Sequence, residues 1–93
     1  MDKIVTIHAI VHGRVQGVFF RSTAKKYADT LGIVGTIANL DDGTVEIYAT
    51  GTRSNLDSFF TKLKQKPGAG TTERIDFEEL VETESFNSFE ILF

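Results

Sequence analysis

Val34-Gly35-Thr36-Ile37-Ala38-Asn39-Leu40-Asp41-Asp42-Gly43-Thr44-Val45-Glu46-Ile47-Tyr48-Ala49 reads as two strands joined by a tight turn. Val45, Ile47 and Ala49 alternate with other residues at the strand period, and the run from Val34 to Asn39 is strand-like. Asp42-Gly43 between such runs is a hairpin signal, because glycine supplies the positive φ that the turn requires. On the N-terminal side, Phe20, Ala24, Tyr27, Ala28 and Leu31 recur at helical spacing, and Gly32 stands where that helix would stop. On the C-terminal side, Leu56, Phe59, Phe60 and Leu63 mark a second amphipathic helix. Thr52 or Ser54 is its predicted cap, and Pro67-Gly68 closes it. Farther out, Val5, Ile7, Ala9 and Val11 form an alternating strand ended by Gly13. Ile75, Phe77 and Val81 suggest another strand, and Phe89, Ile91 and Phe93 a last one. Phe59, Phe60, Phe77 and Phe89 are expected in the core.

The order is therefore strand, helix, strand, strand, helix, strand, with an extra terminal strand. Each helix has one apolar face, so both are expected to cover one side of one sheet. The predicted fold is an α+β, two-layer ferredoxin-like sandwich, β-α-β-β-α-β plus a C-terminal strand, with an antiparallel sheet and two helices on one face. In this topology strands one and three are central neighbours and strand two flanks strand three. The alternation does not fix where the terminal strand joins. Ninety-three residues are expected to form a single domain over positions 1–93, because two cores would each fall below the size that folds unaided.

Composition narrows the chemistry. Apolar residues make up 41% of the chain and aromatics 11%, enough for a packed core. The absence of cysteine excludes a disulfide framework, a Cys-ligated metal, a thiol nucleophile and a copper-chaperone role. No apolar run has the length of a membrane helix and no leader resembles a signal peptide, so a soluble cytoplasmic protein beginning at its own Met1 is expected, with no membrane partner. The formal net charge is −3, which argues against non-specific nucleic-acid binding. Small size and this acidic balance favour a monomer. The charges are unevenly placed. From Lys3 through Ala28 there is no Asp or Glu, yet Lys3, Arg14, Arg21, Lys25 and Lys26 fall there. Seven of the 13 acids crowd between Glu73 and Glu90. The N-terminal segment thus offers a small anion a positive field. For Lys25 and Lys26 a solvated helix face is the simpler reading.

The stretch Gly13-Arg14-Val15-Gln16-Gly17-Val18-Phe19-Phe20-Arg21 joins the first strand to the first helix. Gly13 and Gly17 let the backbone curl and turn successive N–H groups inward, a concavity that binds anions. The helix adds unpaired N–H groups and the positive end of its dipole. Arg21, at the helix start, has a planar fork able to grip two phosphate oxygens. There is no Gly-Lys-Ser/Thr, so a magnesium-nucleotide loop is excluded. The plain alternative is a tight turn with a surface arginine. Asn39 closes the second strand, where the loop after strand one could face it. Its amide can hold a water against a phosphate without ionising, or it can be an ordinary residue before a turn.

Taken together, Gly13-Arg14-Val15-Gln16-Gly17-Val18, Phe20-Arg21 and the later Gly35, Ile37, Asn39, Gly43, Val45 and Gly51 resemble the acylphosphatase family. The resemblance runs over almost the whole chain, including Pro67-Gly68-Ala69, Arg74-Ile75-Asp76 and the C-terminal Phe89-Glu90-Ile91. Thr36 stands where the family usually has an aromatic residue, and Ala38 where it often has a basic one. The resemblance implies hydrolysis of a small-molecule acyl phosphate to a carboxylate and inorganic phosphate, with no metal and no cofactor. It further implies that the backbone amides near Gln16, Gly17, Val18 and Phe19 and the guanidinium of Arg21 cradle the phosphate. Asn39 would hold the attacking water.

Other constellations are weaker. His8 and His12, four apart on one strand, share a sheet face, but no acid lies in that strand to complete a metal or base site. Asp41 and Asp42 before Gly43 are better read as turn residues than as an acid–base pair. A non-catalytic module of a larger maturation protein that handles carbamoyl phosphate would share the motifs. The chain ends just after its last strand, which favours a free-standing enzyme. An RNA-binding protein of this topology would need the aromatic Lys/Arg-Gly-Phe-Gly-Phe pattern on a central strand, which is missing.

Overall fold

The alternation around Asp42-Gly43 folds as a hairpin between β2 (Val34–Asn39) and β3 (Val45–Thr52) in the computed structural model, which describes residues 3–81 and 85–93. The expected start at Met1 and two acids of the C-terminal cluster, Glu82 and Glu84, lie outside the described residues. Leu40 N–H donates to the Thr44 carbonyl at 2.9 Å and Gly43 N–H to the Leu40 carbonyl at 3.2 Å, which closes the turn. Asp42 accepts from both the amide and the hydroxyl of Thr44, the turn duty expected of it. The remaining elements are β1 (Ile4–Arg14), α1 (Phe20–Leu31), α2 (Arg53–Gln65), β4 (Thr71–Glu79) and β5 (Phe89–Leu92). Gly32 caps the C-terminus of α1 in a left-handed conformation. Of the two cap candidates for α2, Thr52 is used, and its hydroxyl accepts from the Asn55 amide at 3.1 Å.

One sheet results, in the order β4-β1-β3-β2-β5. The first four strands pair antiparallel, with β1 and β3 central as expected. The expectation of a wholly antiparallel sheet needs correction. β5 runs parallel to β2, from Gly35 opposite Phe89 to Ala38 opposite Leu92. Chain direction explains it. β4 finishes at the end of the sheet where β2 begins, so the next strand starts there and runs the same way as β2. α1 fastens this last strand. Lys25 Nζ donates to the Phe89 carbonyl at 2.8 Å and Arg21 Nη1 to the Leu92 carbonyl at 3.0 Å. Lys25 is therefore more than a solvated side chain, although it also pairs with Asp29 at 3.3 Å; Lys26 is exposed, as read.

Both helices cover one face of the sheet. Val5, Ala9, Val11, Ile37, Val45 and Ile47 meet Phe20, Ala24, Ala28, Leu56, Phe59 and Leu63 in one buried layer. Phe59 is fully buried, with Phe60 and Phe89 edge-on at 5.0 and 5.8 Å. Such aromatic pairs add about 0.5–1.5 kcal/mol each beyond area burial. Phe77 does not join that core. It lies on the edge strand β4, 56% exposed, with one edge-on contact to Phe60 at 4.9 Å. Val81 falls beyond β4 and Phe93 beyond β5, both fully exposed. At the sheet edges the helices cover only part of the surface, so alternation there no longer reports burial. No described helix is long and apolar enough to cross a membrane.

β1 outruns its predicted end. A register shift between His12 and Gly13 lets it continue to Arg14, opposite Thr71. Gly13 makes this possible with φ +136°, and a Cβ there would lie 2.2 Å from the Thr71 carbonyl oxygen. Gly13→Ala is expected to destabilise the fold by about 1–3 kcal/mol. The check is the urea midpoint of unfolding; a midpoint equal to that of the unsubstituted protein would contradict this account of the bulge.

Candidate active site

The segment between β1 and α1 is pinned from inside and open outside. Val15, Val18 and Phe20 are buried, while Gly17 and Phe19 are exposed. Two left-handed residues shape it: Gly17 at φ +72° and Phe19 at φ +60°, ψ +25°. Glycine meets the first requirement without a Cβ penalty. Phe19 is the only non-glycine residue with positive φ among the described residues, and it is 81% exposed. Such strain in an exposed apolar residue is typical of functional loops. Phe19 is also the residue before the first turn of α1, where no side chain caps the helix and no acid sits in the first turn. Its carbonyl accepts from Thr23 N–H at 3.0 Å, so the helix begins regularly and its leading amides face outward. The dipole end is left positive.

A cleft of about 340 Å³ opens at this point, lined by Gly17, Phe19, Arg21, Ser22 and Asn39 with an apolar rim that includes Ile91 and Phe93. Arg21 is steadied from behind. One of its donors reaches the Leu92 carbonyl, and its guanidinium carbon sits 5.0 Å from the centre of the Phe93 ring. A guanidinium has five N–H donors, so four stay available for an anion. Asn39, exposed at the end of β2, lines the same cleft, and no described residue hydrogen-bonds its side chain.

Of the six residues singled out from the sequence, the structure brings Gly17, Phe19, Arg21 and Asn39 to one cavity. The other two side chains go elsewhere. Val18 is in the core. Gln16 turns to the hairpin, its Nε2 donating to the carbonyls of Leu40 and Thr44 at 2.8 Å each. Neither position loses its backbone amide by this. Ser22 and Phe93 were missed. Ser22 carries no pattern signal, and Phe93 completes an alternation that reads as strand.

His8 and His12 lie on the opposite, helix-free face of the sheet. Acids from neighbouring strands reach them, a possibility that inspection of the first strand alone could not reveal. His8 Nε2 meets Glu46 Oε2 at 2.9 Å, and His12 Nε2 meets Asp76 Oδ2 at 2.9 Å. Arg74 Nε in turn lies 3.1 Å from Asp76 Oδ1. Among the described residues, no three of these side chains converge as metal ligands would.

With this geometry in place, the comparisons with known proteins agree with one another. The acylphosphatase family profile matches residues 7–91. The chain is 39% identical over 92 residues to an acylphosphatase of Acaryochloris marina, covering 99% of this chain and 98% of that one. It is 39% identical to an acylphosphatase of Legionella pneumophila, covering 99% and 100%. Among solved structures, it is similar to the crystal structure of acylphosphatase from Bacillus subtilis, with TM-score 0.91 and 35% identity, covering 96% of this chain and 99% of that one.

The His12–Asp76–Arg74 cluster makes stability depend on acid. Hydrogen bonding to His12 holds the Asp76 carboxyl below its ordinary value of 3.8, with help from the Arg74 charge and against a smaller desolvation. A carboxyl with a depressed native pKa contributes stability above its unfolded pKa and loses it as pH falls through the native one. Between about pH 5 and about pH 2, Asp76→Asn is therefore expected to flatten the fall of the urea midpoint. The difference should shrink in high salt, because the pair is exposed. Parallel curves for the two proteins would contradict it.

Proposed function

This chain belongs to the acylphosphatase family, and we propose that it works by direct, metal-independent attack of a water held by Asn39 on a phosphoryl group bound by Arg21 and the backbone amides of Gln16, Gly17, Val18 and Phe19. As an acylphosphatase it cleaves acyl phosphates to a carboxylate and inorganic phosphate. In the proposed step the water oxygen forms a bond to phosphorus while the bond to the acyl oxygen breaks. The carboxylate leaves with the electron pair, and the water's proton passes to a phosphate oxygen of the substrate.

The economy of this site matches the reaction. A carboxylate is already a good leaving group, and phosphoryl transfer through a loose transition state asks chiefly for positioning and charge stabilisation. Holding water and phosphate together can supply on the order of 7–11 kcal/mol. No side chain has to form a covalent bond, and no general base is needed. One observation carries the reading: Arg21, Asn39, Gly17 and the uncapped start of α1 line a single cleft. Arg21 keeps four donors for the phosphate, and the neutral amide of Asn39 adds no repulsion to an anionic substrate. The same chain is proposed to act as a cytoplasmic monomer, without cofactor, nucleic acid or membrane; the net charge of −3 and the absence of cysteine favour this.

Hydrolysis of benzoyl phosphate tests the assignment. Arg21→Ala and Asn39→Ala are each expected to lower kcat/KM by about 10²–10³ or more. The urea midpoint should change little in Asn39→Ala and fall modestly in Arg21→Ala, by the about 1 kcal/mol of its lost bond to the Leu92 carbonyl. Activity in excess chelator should equal that without it. Full activity in Asn39→Ala would remove its water-positioning role, and loss of activity on chelation would turn attention to His8 and His12.

A further inference from the structure

The side chain of Gln16 performs a task that the phosphate loop itself does not require. Its Nε2 is half-buried and gives both of its hydrogens to backbone carbonyls of the β2–β3 turn, Leu40 O and Thr44 O, each at 2.8 Å. These are the two carbonyls that already close the turn by accepting from Gly43 and Leu40. Leu40 directly follows Asn39, and Thr44 directly precedes Val45, the register partner of Asn39. One amide group thus holds both ends of the turn that immediately follows Asn39. Among the described residues it is the only side chain of the loop hydrogen-bonded to the hairpin.

We infer that Gln16 is a positioning residue: its side-chain amide locks the phosphate-binding loop to the β2–β3 turn and thereby sets where Asn39 stands relative to the bound phosphoryl group. The inference rests on the proposed roles of Arg21 and Asn39. Its physical basis is that the two halves of the site come from segments far apart in sequence. Arg21 and the loop amides follow β1, whereas Asn39 ends β2. The sheet register fixes the end of β2, with Asn39 opposite Val45, but the loop and Arg21 lie beyond the exit of β1, where ladder hydrogen bonds no longer hold the chain. A glutamine amide suits the task because it offers two donors in a fixed plane and no charge. A lysine there would add a cation beside the cup, and a carboxylate would face two carbonyl oxygens.

The test separates this role from a purely structural one. Gln16→Met keeps the volume and the backbone amide but removes the two donors. With benzoyl phosphate, kcat is expected to fall by about 10- to 100-fold, the size of loss that follows a small misplacement of reacting groups. The inhibition constant of inorganic phosphate should stay within about twofold, since the cup is kept. On the Asn39→Ala background the same substitution should cost almost nothing further, because residues acting through one another are not additive. Unchanged kcat in Gln16→Met would overturn the inference. So would an equal loss on the Asn39→Ala background, or a loss confined to phosphate affinity. If Gln16→Met fails to fold, as judged by circular dichroism, Gln16→Ala, also neutral and without side-chain donors, carries the same three measurements with the same expected and contrary results. Full activity in Asn39→Ala alone would instead defeat the proposed mechanism, so the two failures are distinguishable.

Discussion

Val11, Val45 and Asn39 stand side by side across three strands, and the position of the site depends on that row. β1 pairs with β3 so that Val11 faces Val45, and β3 pairs with β2 so that Val45 faces Asn39. Val11 and Val45 are fully buried beneath the helices. Side chains alternate across a sheet, so a slip of one residue in either ladder would turn this row to the other face. Burying the valines therefore fixes the register, and the register brings the end of β2 to the exit of β1. Two strand spacings separate Val11 from Asn39, about 10 Å. A hydrophobic constraint thus sets the geometry of a polar site, although no apolar side chain takes part in the proposed chemistry.

The interior of this arrangement was legible because each signal had one meaning. Asp42-Gly43 between alternating runs specifies a hairpin, and the four-residue spacing of Phe20, Ala24 and Ala28 specifies a helix with one buried face. The edges were less legible. Phe77 looks like a core residue by spacing but sits on β4, where the helices cover little. The alternation of Phe89 and Ile91 announced a strand without telling its neighbour or direction. That choice follows from where β4 leaves the chain and from the grip of Lys25 and Arg21 on β5 carbonyls. Backbone acceptors leave no trace in a sequence, so such contacts cannot be read from it.

The same distinction runs through the site. Gly17, Arg21 and Asn39 are legible as residue types: one tolerates a left-handed backbone, one forks on an anion, one can hold water without charge. Gln16 is different. Its amide was associated with the loop only through its backbone, while its side chain spends both donors on the opposite turn. Nothing about a glutamine in a glycine-flanked loop indicates which distant carbonyls it will meet. The histidines show the converse limit. His8 and His12 have no acidic neighbour on their own strand, yet β3 and β4 supply Glu46 and Asp76. Pairing across a sheet turns residues far apart in sequence into neighbours, and only the register says which.

Arg21 illustrates how so small a chain can keep a charged group ready. A free arginine side chain would lose considerable rotamer entropy on gripping a phosphate, up to about 2 kcal/mol. Here the guanidinium already donates to the Leu92 carbonyl and lies over the Phe93 ring in the folded protein, so part of that cost is met at folding. The neighbouring positive groups reinforce one another, because residues of the uncapped first turn of α1, of the curled loop and Arg21 line one cleft. Fixed dipoles that need no rearrangement stabilise developing charge better than mobile ones. Because an acyl phosphate brings its own leaving group, preorganisation of this kind is nearly all that the proposed reaction asks of the protein. A single sheet with two helices can supply it.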